Sequence, residues 1–103
     1  TGVGVRLRQD LLVRYPNKET LKKVFEDENK RLANINLSPS ATIQEGNSWL
    51  RVRLCEEICK ISYYIFNQRT LLVELWSDTI SGNISEEELD NTMLNMASTF
   101  KFY

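Results

Sequence analysis

The residues best suited to bind a ligand are arginines that lie two positions apart in two apolar segments. Arg6 and Arg8 lie in GVGVRLR, and Arg51 and Arg53 lie in WLRVRLC. A guanidinium group presents a planar fork of N–H donors that binds phosphate or carboxylate through two bonds. Side chains of a β-strand point alternately to its two faces, so arginines two positions apart project from one face. If the two segments lie near each other, their spacing predicts four guanidinium groups on a sheet face that no helix covers.

Three lysines, Lys18, Lys22 and Lys23, could extend this basic surface. Residues 1–31 carry eight basic and five acidic residues, a balance of +3, whereas residues 32–103 carry five basic and nine acidic residues, a balance of −4. The pattern predicts a positive end on a domain whose net charge is only −1. The alternative is a solvated sheet face on which the arginine stems cover apolar atoms.

The chain has two cysteines, Cys55 and Cys59, and no histidine. A zinc site takes four ligands, commonly Cys or His, so we expect neither a metal site nor a cofactor. The lack of histidine removes the usual general base and the Ser-His and Cys-His nucleophile pairs, which predicts a domain that is not itself an enzyme. The two thiols are expected to be free and buried, as in a reducing compartment.

Two helices have clear start signals. Asn17 is a good N-cap for a helix over about residues 18–34, and apolar residues follow it at helical spacing. Ser85 and Glu88 match the S-x-x-E capping pattern, and an apolar stripe of Leu89, Met93, Met96, Ala97 and Phe100 follows them. These signals predict one helix in the N-terminal third and one at the C-terminal end.

Residues 56–76, EEICKISYYIFNQRTLLVELW, fit either one amphipathic helix or two strands. The helical reading aligns Ile58, Ile61 and Ile65 at steps of three and four. The strand reading alternates apolar residues with Lys60 and Ser62. Between residues 58 and 76 the composition is β-branched and aromatic with no alanine, which favours strands.

These elements predict one α+β domain over residues 1–103. We expect an antiparallel four- to five-stranded sheet with two helices packed on one face, in the order β-α-β-β-β-α, because this arrangement buries both apolar helix stripes. Residues 35–48 are predicted to be a loop with room for a short strand at residues 42–44.

This order of elements and several motifs resemble the kinase-associated 1 (KA1) domain, the module that ends the MARK/PAR-1 protein kinases and the fungal septin-associated kinases. The matching segments are RYPNKETLKKVFEDENKRLAN, where a strand leads through Pro-Asn into a helix, EEICKI, which opens a central strand, and LLVELWSDTISG, which leads into the final helix. The similarity covers nearly the whole chain. It implies a non-catalytic C-terminal module of a serine/threonine protein kinase.

The resemblance also implies binding to anionic, phosphatidylserine-like membrane. The residues expected to bind lipid are the basic ones already named: Arg6, Arg8, Lys18, Lys22, Lys23, Arg51 and Arg53. The acidic C-terminal half and the near-zero net charge favour an alternative, a protein-interaction or autoinhibitory module that packs on a kinase domain or a partner subunit without binding lipid.

Partner and location follow from the same features. The sequence pI of about 5.5 argues against nucleic acid, because binding to a phosphate backbone normally uses a pervasive basic field. The opening residues carry no signal-peptide pattern, and no apolar run is long enough to cross a bilayer. We therefore expect a monomeric domain in the cytoplasm, which the lipid-binding reading would place at the periphery of the plasma membrane.

Overall fold

The computed structural model describes residues 3–37, 41–55, 59–67, 71–77 and 85–100. Within these ranges the chain forms β1 (Gly4–Leu7), α1 (Gln9–Arg14), α2 (Lys18–Asn34), β2 (Ala41–Glu45), β3 (Trp49–Cys55), β4 (Cys59–Asn67), β5 (Leu71–Ser77) and α3 (Glu86–Thr99). The five strands form one antiparallel sheet in the order β1-β5-β4-β3-β2. The predicted α+β class and antiparallel sheet are confirmed.

The ambiguous segment after residue 55 is a pair of strands. β4 and β5 pair along their whole length, with Ile61 opposite Ser77 and Ile65 opposite Val73. The strand prediction is therefore confirmed for residues 59–67 and 71–77. Residues 68–70, which connect the two strands, lie outside the described residues.

The two long helices cover opposite faces of the sheet. Ile61, Tyr63 and Ile65 of β4 pack with Leu89, Met93 and Ala97 of α3. The other face carries a second cluster, in which α2 contributes Leu21 and the sheet contributes Ala41, Leu50, Val52, Tyr64 and Leu72. The prediction that both helices pack on one face is therefore wrong. The physical reason is that alternate positions of β4 are apolar or aromatic on both sides, so both faces must leave water.

The order of elements also differs from the predicted one. The short helix α1 was not predicted, because its N-cap residue, Arg8, makes no side-chain capping bond that would mark the start. Its Leu11 and Leu12 pack against the cluster beneath α2. β2 extends over five residues at the place where the sequence predicted a short strand at residues 42–44. The observed order is β-α-α-β-β-β-β-α.

Both predicted helix starts are confirmed by capping bonds. The Asn17 side chain accepts from the backbone N–H of Thr20 at 2.9 Å, and the Thr20 hydroxyl accepts in return from the Asn17 N–H. The Ser85 hydroxyl accepts from the Glu88 N–H at 3.1 Å. These bonds satisfy N–H groups that have no partner inside the helix, so they fix where α2 and α3 begin.

Cys55 and Cys59 form a disulfide across the β3–β4 hairpin, with their Cα atoms 4.1 Å apart. The prediction of two free thiols is corrected here. Antiparallel pairing places these two residues directly opposite each other, within bridging distance. A spacing of four along the chain does not reveal this contact unless the register of the hairpin is known.

Candidate functional site

The four arginines expected to share one surface lie on opposite faces of the sheet. Arg6 is aligned across the strands with Glu74, then Tyr64, then Leu50, all of which point toward the α2 face. Arg51 and Arg53 follow the opposite phase and point toward α3. The predicted four-guanidinium face is therefore wrong. Two strands, β5 and β4, separate β1 from β3, and the register places Arg6 in line with Leu50 rather than with an arginine.

Arg6 and Arg8 converge on one buried carboxylate. Oε1 of Glu74 accepts from Arg6 Nε at 2.7 Å and from Arg8 Nη1 at 2.7 Å, and the Glu74 side chain is only 2% exposed. Burial raises the pKa of Glu74, but hydrogen bonds from Arg6, Arg8 and Ser62, together with the positive charge of Arg6, leave that pKa below its usual value. Arg8 also binds the exposed carboxylate of Asp10 through Nε and Nη2. These contacts attach β1 to β5.

Arg51 and Arg53 attach α3 to β3. Arg51 is buried and binds Asp90 through two bonds, Nε to Oδ1 at 3.0 Å and Nη2 to Oδ2 at 2.9 Å. The Tyr63 hydroxyl donates to the same Asp90 Oδ1 at 2.6 Å, and burial together with this bond raises the pKa of Tyr63. Arg53 pairs with Glu86 in the first turn of α3. Both guanidinium groups therefore have acceptors inside the domain.

Two of the three predicted lysines also have internal acceptors. Lys18 Nζ donates to the Gly46 carbonyl at 2.6 Å and lies 3.4 Å from Glu45 Oε2. Lys22 Nζ lies 3.2 Å from the other carboxylate oxygen of Glu45. Lys23 is exposed and makes no ion pair within the described part of the chain. Six of the seven residues expected to bind lipid are thus already paired, and their contact with lipid stays a prediction.

One outer edge of the sheet, that of β2, is occupied by side chains of α2. Gly46 N–H bonds Trp49 across the hairpin, so the outward backbone groups of β2 belong to Ala41, Ile43 and Glu45. The Asn29 side chain donates to the Ala41 carbonyl at 2.8 Å and accepts from the Ala41 N–H at 3.4 Å, as a neighbouring strand would. Lys18 of α2 bonds the Gly46 carbonyl just beyond the other end of β2.

The other outer edge, that of β1, is open. Arg8 N–H bonds the Leu72 carbonyl at 2.8 Å, so alternate residues of β1 face β5 and the N–H and C=O groups of Val5 and Leu7 point away from the sheet. No described residue bonds these outward groups. Val5 and Leu7 are 57% and 62% exposed. They are exposed because α3 packs on β4, two strands away.

Arg6 is held in a fixed position on this open edge. Its guanidinium carbon lies 5.1 Å from the centre of the Trp76 ring, a cation–π arrangement. Trp76 fits here because residue 4, its partner in register, is glycine, and a Cβ on Gly4 would lie 2.3 Å from the ring. Sequence reasoning named Arg6 as a binding residue but could not identify β1 as an open edge, because an open edge is a property of strand order.

The described residues contain no group of three or more His, Cys, Asp or Glu side chains that could hold a metal ion. Among the helices of the same residues, none is both long and apolar enough to span a bilayer. No protein-family model, no curated protein and no solved structure matches this chain. The resemblance to the kinase-associated domain therefore stays a prediction, and the functional argument rests on the geometry of the sheet edges and the ion pairs.

Proposed function

We propose that this domain is a non-catalytic protein-interaction module that binds an extended segment of its partner along the open edge of β1. The observation that carries the proposal is the outward, unbonded backbone of Val5 and Leu7 together with their exposed side chains. A peptide added to a sheet edge gains affinity from main-chain hydrogen bonds and specificity from alternate side chains. In the wider form of this proposal the partner is a protein kinase domain or subunit, as the family resemblance suggests.

Binding to anionic membrane is the competing hypothesis from the same resemblance. The internal pairing of six of the seven basic residues weakens it, because a lipid phosphate would have to compete with carboxylates already in place. A cytoplasmic location remains part of the proposal and requires Cys55 and Cys59 to be reduced there, because the cytosol keeps thiols reduced.

Selection of peptides from a random display library, followed by substitution in β1, tests the interaction function. The Val5→Pro variant removes one outward N–H and leaves the bonds between β1 and β5 in place, since proline is tolerated on edge strands whose N–H faces solvent. Selected peptides should bind the wild-type domain and lose most of their affinity for Val5→Pro. The Val5→Thr variant, which keeps the N–H, is the matched control.

Two results would contradict the proposal. One is the absence of any selected peptide, and the other is equal binding of the selected peptides to wild type and Val5→Pro. Sedimentation with phosphatidylserine vesicles at low and high salt examines the competing hypothesis. Salt-sensitive binding that survives Val5→Pro would favour the membrane over a protein partner.

A further inference from the structure

We propose that the segment bound at β1 has an acidic residue between two apolar residues and pairs antiparallel to β1 with its carboxylate opposite Arg6. This inference rests on the proposed interaction function and names the chemistry of the partner. It follows from the register of the open edge, from the donors that Arg6 has left, and from the apolar side chains beside it.

The register determines which partner residue meets Arg6. Val5 and Leu7 direct their backbone groups outward, so an added antiparallel strand forms hydrogen-bonded pairs at these two positions. Arg6 lies between them in a non-hydrogen-bonded pair, where opposing Cα atoms approach to about 4.5 Å. The partner residue opposite Arg6 therefore points to the same face as the guanidinium group, close enough for a direct ion pair.

The contacts of Arg6 with the described residues leave its two terminal nitrogens available. Only Nε bonds Glu74, and no described residue accepts from the terminal nitrogens. The Glu74 oxygen is shared with Arg8, while the ring of Trp76 holds the guanidinium from one side. The Arg6 side chain is 51% exposed. A carboxylate on an incoming strand could bind the terminal nitrogens through charge-assisted hydrogen bonds without displacing Glu74.

The partner residues on either side of the acidic one lie opposite apolar side chains. Val5 and Leu7 direct their side chains to the opposite face of the sheet, where both are exposed. Apolar residues across from them would remove these side chains from water and form favourable cross-strand pairs. Alternation along the strand then gives the pattern apolar, acidic, apolar over three successive positions.

A second copy of this chain fits the edge less well than such a partner. The register that pairs both outward residues of one copy with both of the other matches Val5 with Leu7 in each direction, and its two-fold axis passes through the Arg6 pair. Two guanidinium groups would then lie directly opposite each other, and like charges in that position destabilise a strand pair. Charge complementarity therefore favours an acidic segment of a different chain.

Three synthetic nine-residue peptides test the inference directly. They share a Val-x-Val centre and neutral flanks and carry Glu, Gln or Lys at x. Titration by fluorescence anisotropy against the wild-type domain should show Glu binding about tenfold more tightly than Lys, with Gln between them, because a charge-assisted bond contributes about that factor. The Glu preference should shrink at 0.5 M salt. The Arg6→Met variant, in which Arg8 still pairs with Glu74, should lose the preference, whereas Lys23→Met, with the same charge change on α2, should keep it.

Each other outcome overturns the inference and is distinct from a failure of the proposed function. Equal binding of the three peptides, abolished by Val5→Pro, would keep the edge-binding function and remove the acidic specificity. A failure of all three to bind, with library-selected peptides still bound, would do the same. Concentration-dependent dimerisation blocked by Val5→Pro would assign the edge to a second copy. Sedimentation with phosphatidylserine vesicles that Leu7→Asp abolishes and no peptide inhibits would assign it to a membrane.

Discussion

The two outer strands of the sheet, β2 and β1, differ in whether other residues bond their outward backbone groups. At β2, the long helix α2 supplies Asn29, whose side chain bonds the outward N–H and C=O of Ala41, and Lys18, which bonds the Gly46 carbonyl just beyond the strand. At β1, the outward groups of Val5 and Leu7 meet no described residue, and their side chains are more than half exposed. Unpaired strand edges invite pairing with another chain, and proteins commonly shield them. The shielding of one edge and the openness of the other indicate where this domain can accept a partner.

The four arginines of the strand segments differ in the same way, because most of their bonds lie inside the domain. Arg51 and Arg53 attach α3 to the middle of the molecule, and Arg8 attaches the open edge to β5. Of these four arginines Arg6 is the most exposed, and among the described residues it bonds its carboxylate partner through Nε alone. Substitutions at the two edges should therefore change stability by different amounts.

The largest effect is expected from removing both cations that bind Glu74. In the double variant Arg6→Met/Arg8→Met, a nearly fully buried carboxylate keeps no positive partner, and such losses cost about 3–5 kcal/mol. Urea unfolding should show a lower free energy of unfolding by about that amount. Adding Glu74→Gln should restore part of it, since a neutral amide is cheaper to bury. An unchanged midpoint in the double variant would show that β1 is attached by its ladder alone.

At the shielded edge, Asn29→Ala should lower the free energy of unfolding by about 1–2 kcal/mol. It leaves the N–H and C=O of buried Ala41 without their side-chain partner, and an unsatisfied buried polar group carries a penalty of this size. Asn34→Ala, at the exposed end of α2, is the matched control and should have little effect. Hydrogen exchange should also become faster at the Ala41 amide. If both variants behave alike, Asn29 does not shield β2.

A smaller effect is expected at the open edge itself. Leu7→Thr should change the free energy of unfolding by no more than about 0.5 kcal/mol, as exposed substitutions usually do. Ile43→Thr, at the corresponding edge position of β2, should cost more, because Ile43 packs against the cluster beneath α2. Thermal melts of the two variants compare the edges directly. A larger loss for Leu7 than for Ile43 would reverse the assignment of open and shielded edges.

Protonation of Glu74 should change the free energy of unfolding least at neutral pH and clearly in acid. Although burial raises its pKa, the bonds from Arg6 and Arg8 leave the folded-state pKa below the value of about 4.3 expected for an unfolded chain. A lowered folded-state pKa contributes stability that is present above the unfolded pKa and is lost as the pH falls through the folded value. The wild type should therefore lose stability more steeply below about pH 4.3 than Glu74→Gln does. Parallel stability curves for the two proteins would contradict the prediction.

Local signals in the chain were sufficient for several elements. Asn17 and Ser85 marked the starts of α2 and α3, because N-cap bonds form with residues three positions away and need no tertiary partner. Composition distinguished strand from helix in β4 and β5. Helix α1 was not predicted because no side chain caps its start. Its Leu11 and Leu12 are partly buried only because they pack against the cluster under α2, a tertiary contact.

The candidate site could be predicted only in its parts. The phase of Arg6 relative to its neighbours Val5 and Leu7 followed from alternation, but the sequence could not show that β5 and β4 separate Arg6 from Arg51. It also could not show that β1 is an edge strand. Alternation places Val5 and Leu7 on one face, but the burial of that face depends on strand order and on where the helices pack.

By itself the sequence determined the α+β class, the helix starts and the alternation of side chains along each strand, because these depend on residues within a few positions of one another. Strand order, register and the side of the sheet on which each helix packs were decided by the tertiary structure. Because of this tertiary arrangement Arg51 and Arg53 bind carboxylates of α3, and Cys55 bonds Cys59. It also leaves Val5 and Leu7 exposed. The physical reason is that a charge or an apolar side chain acquires its role from the groups opposite it, and those groups lie far away in the chain.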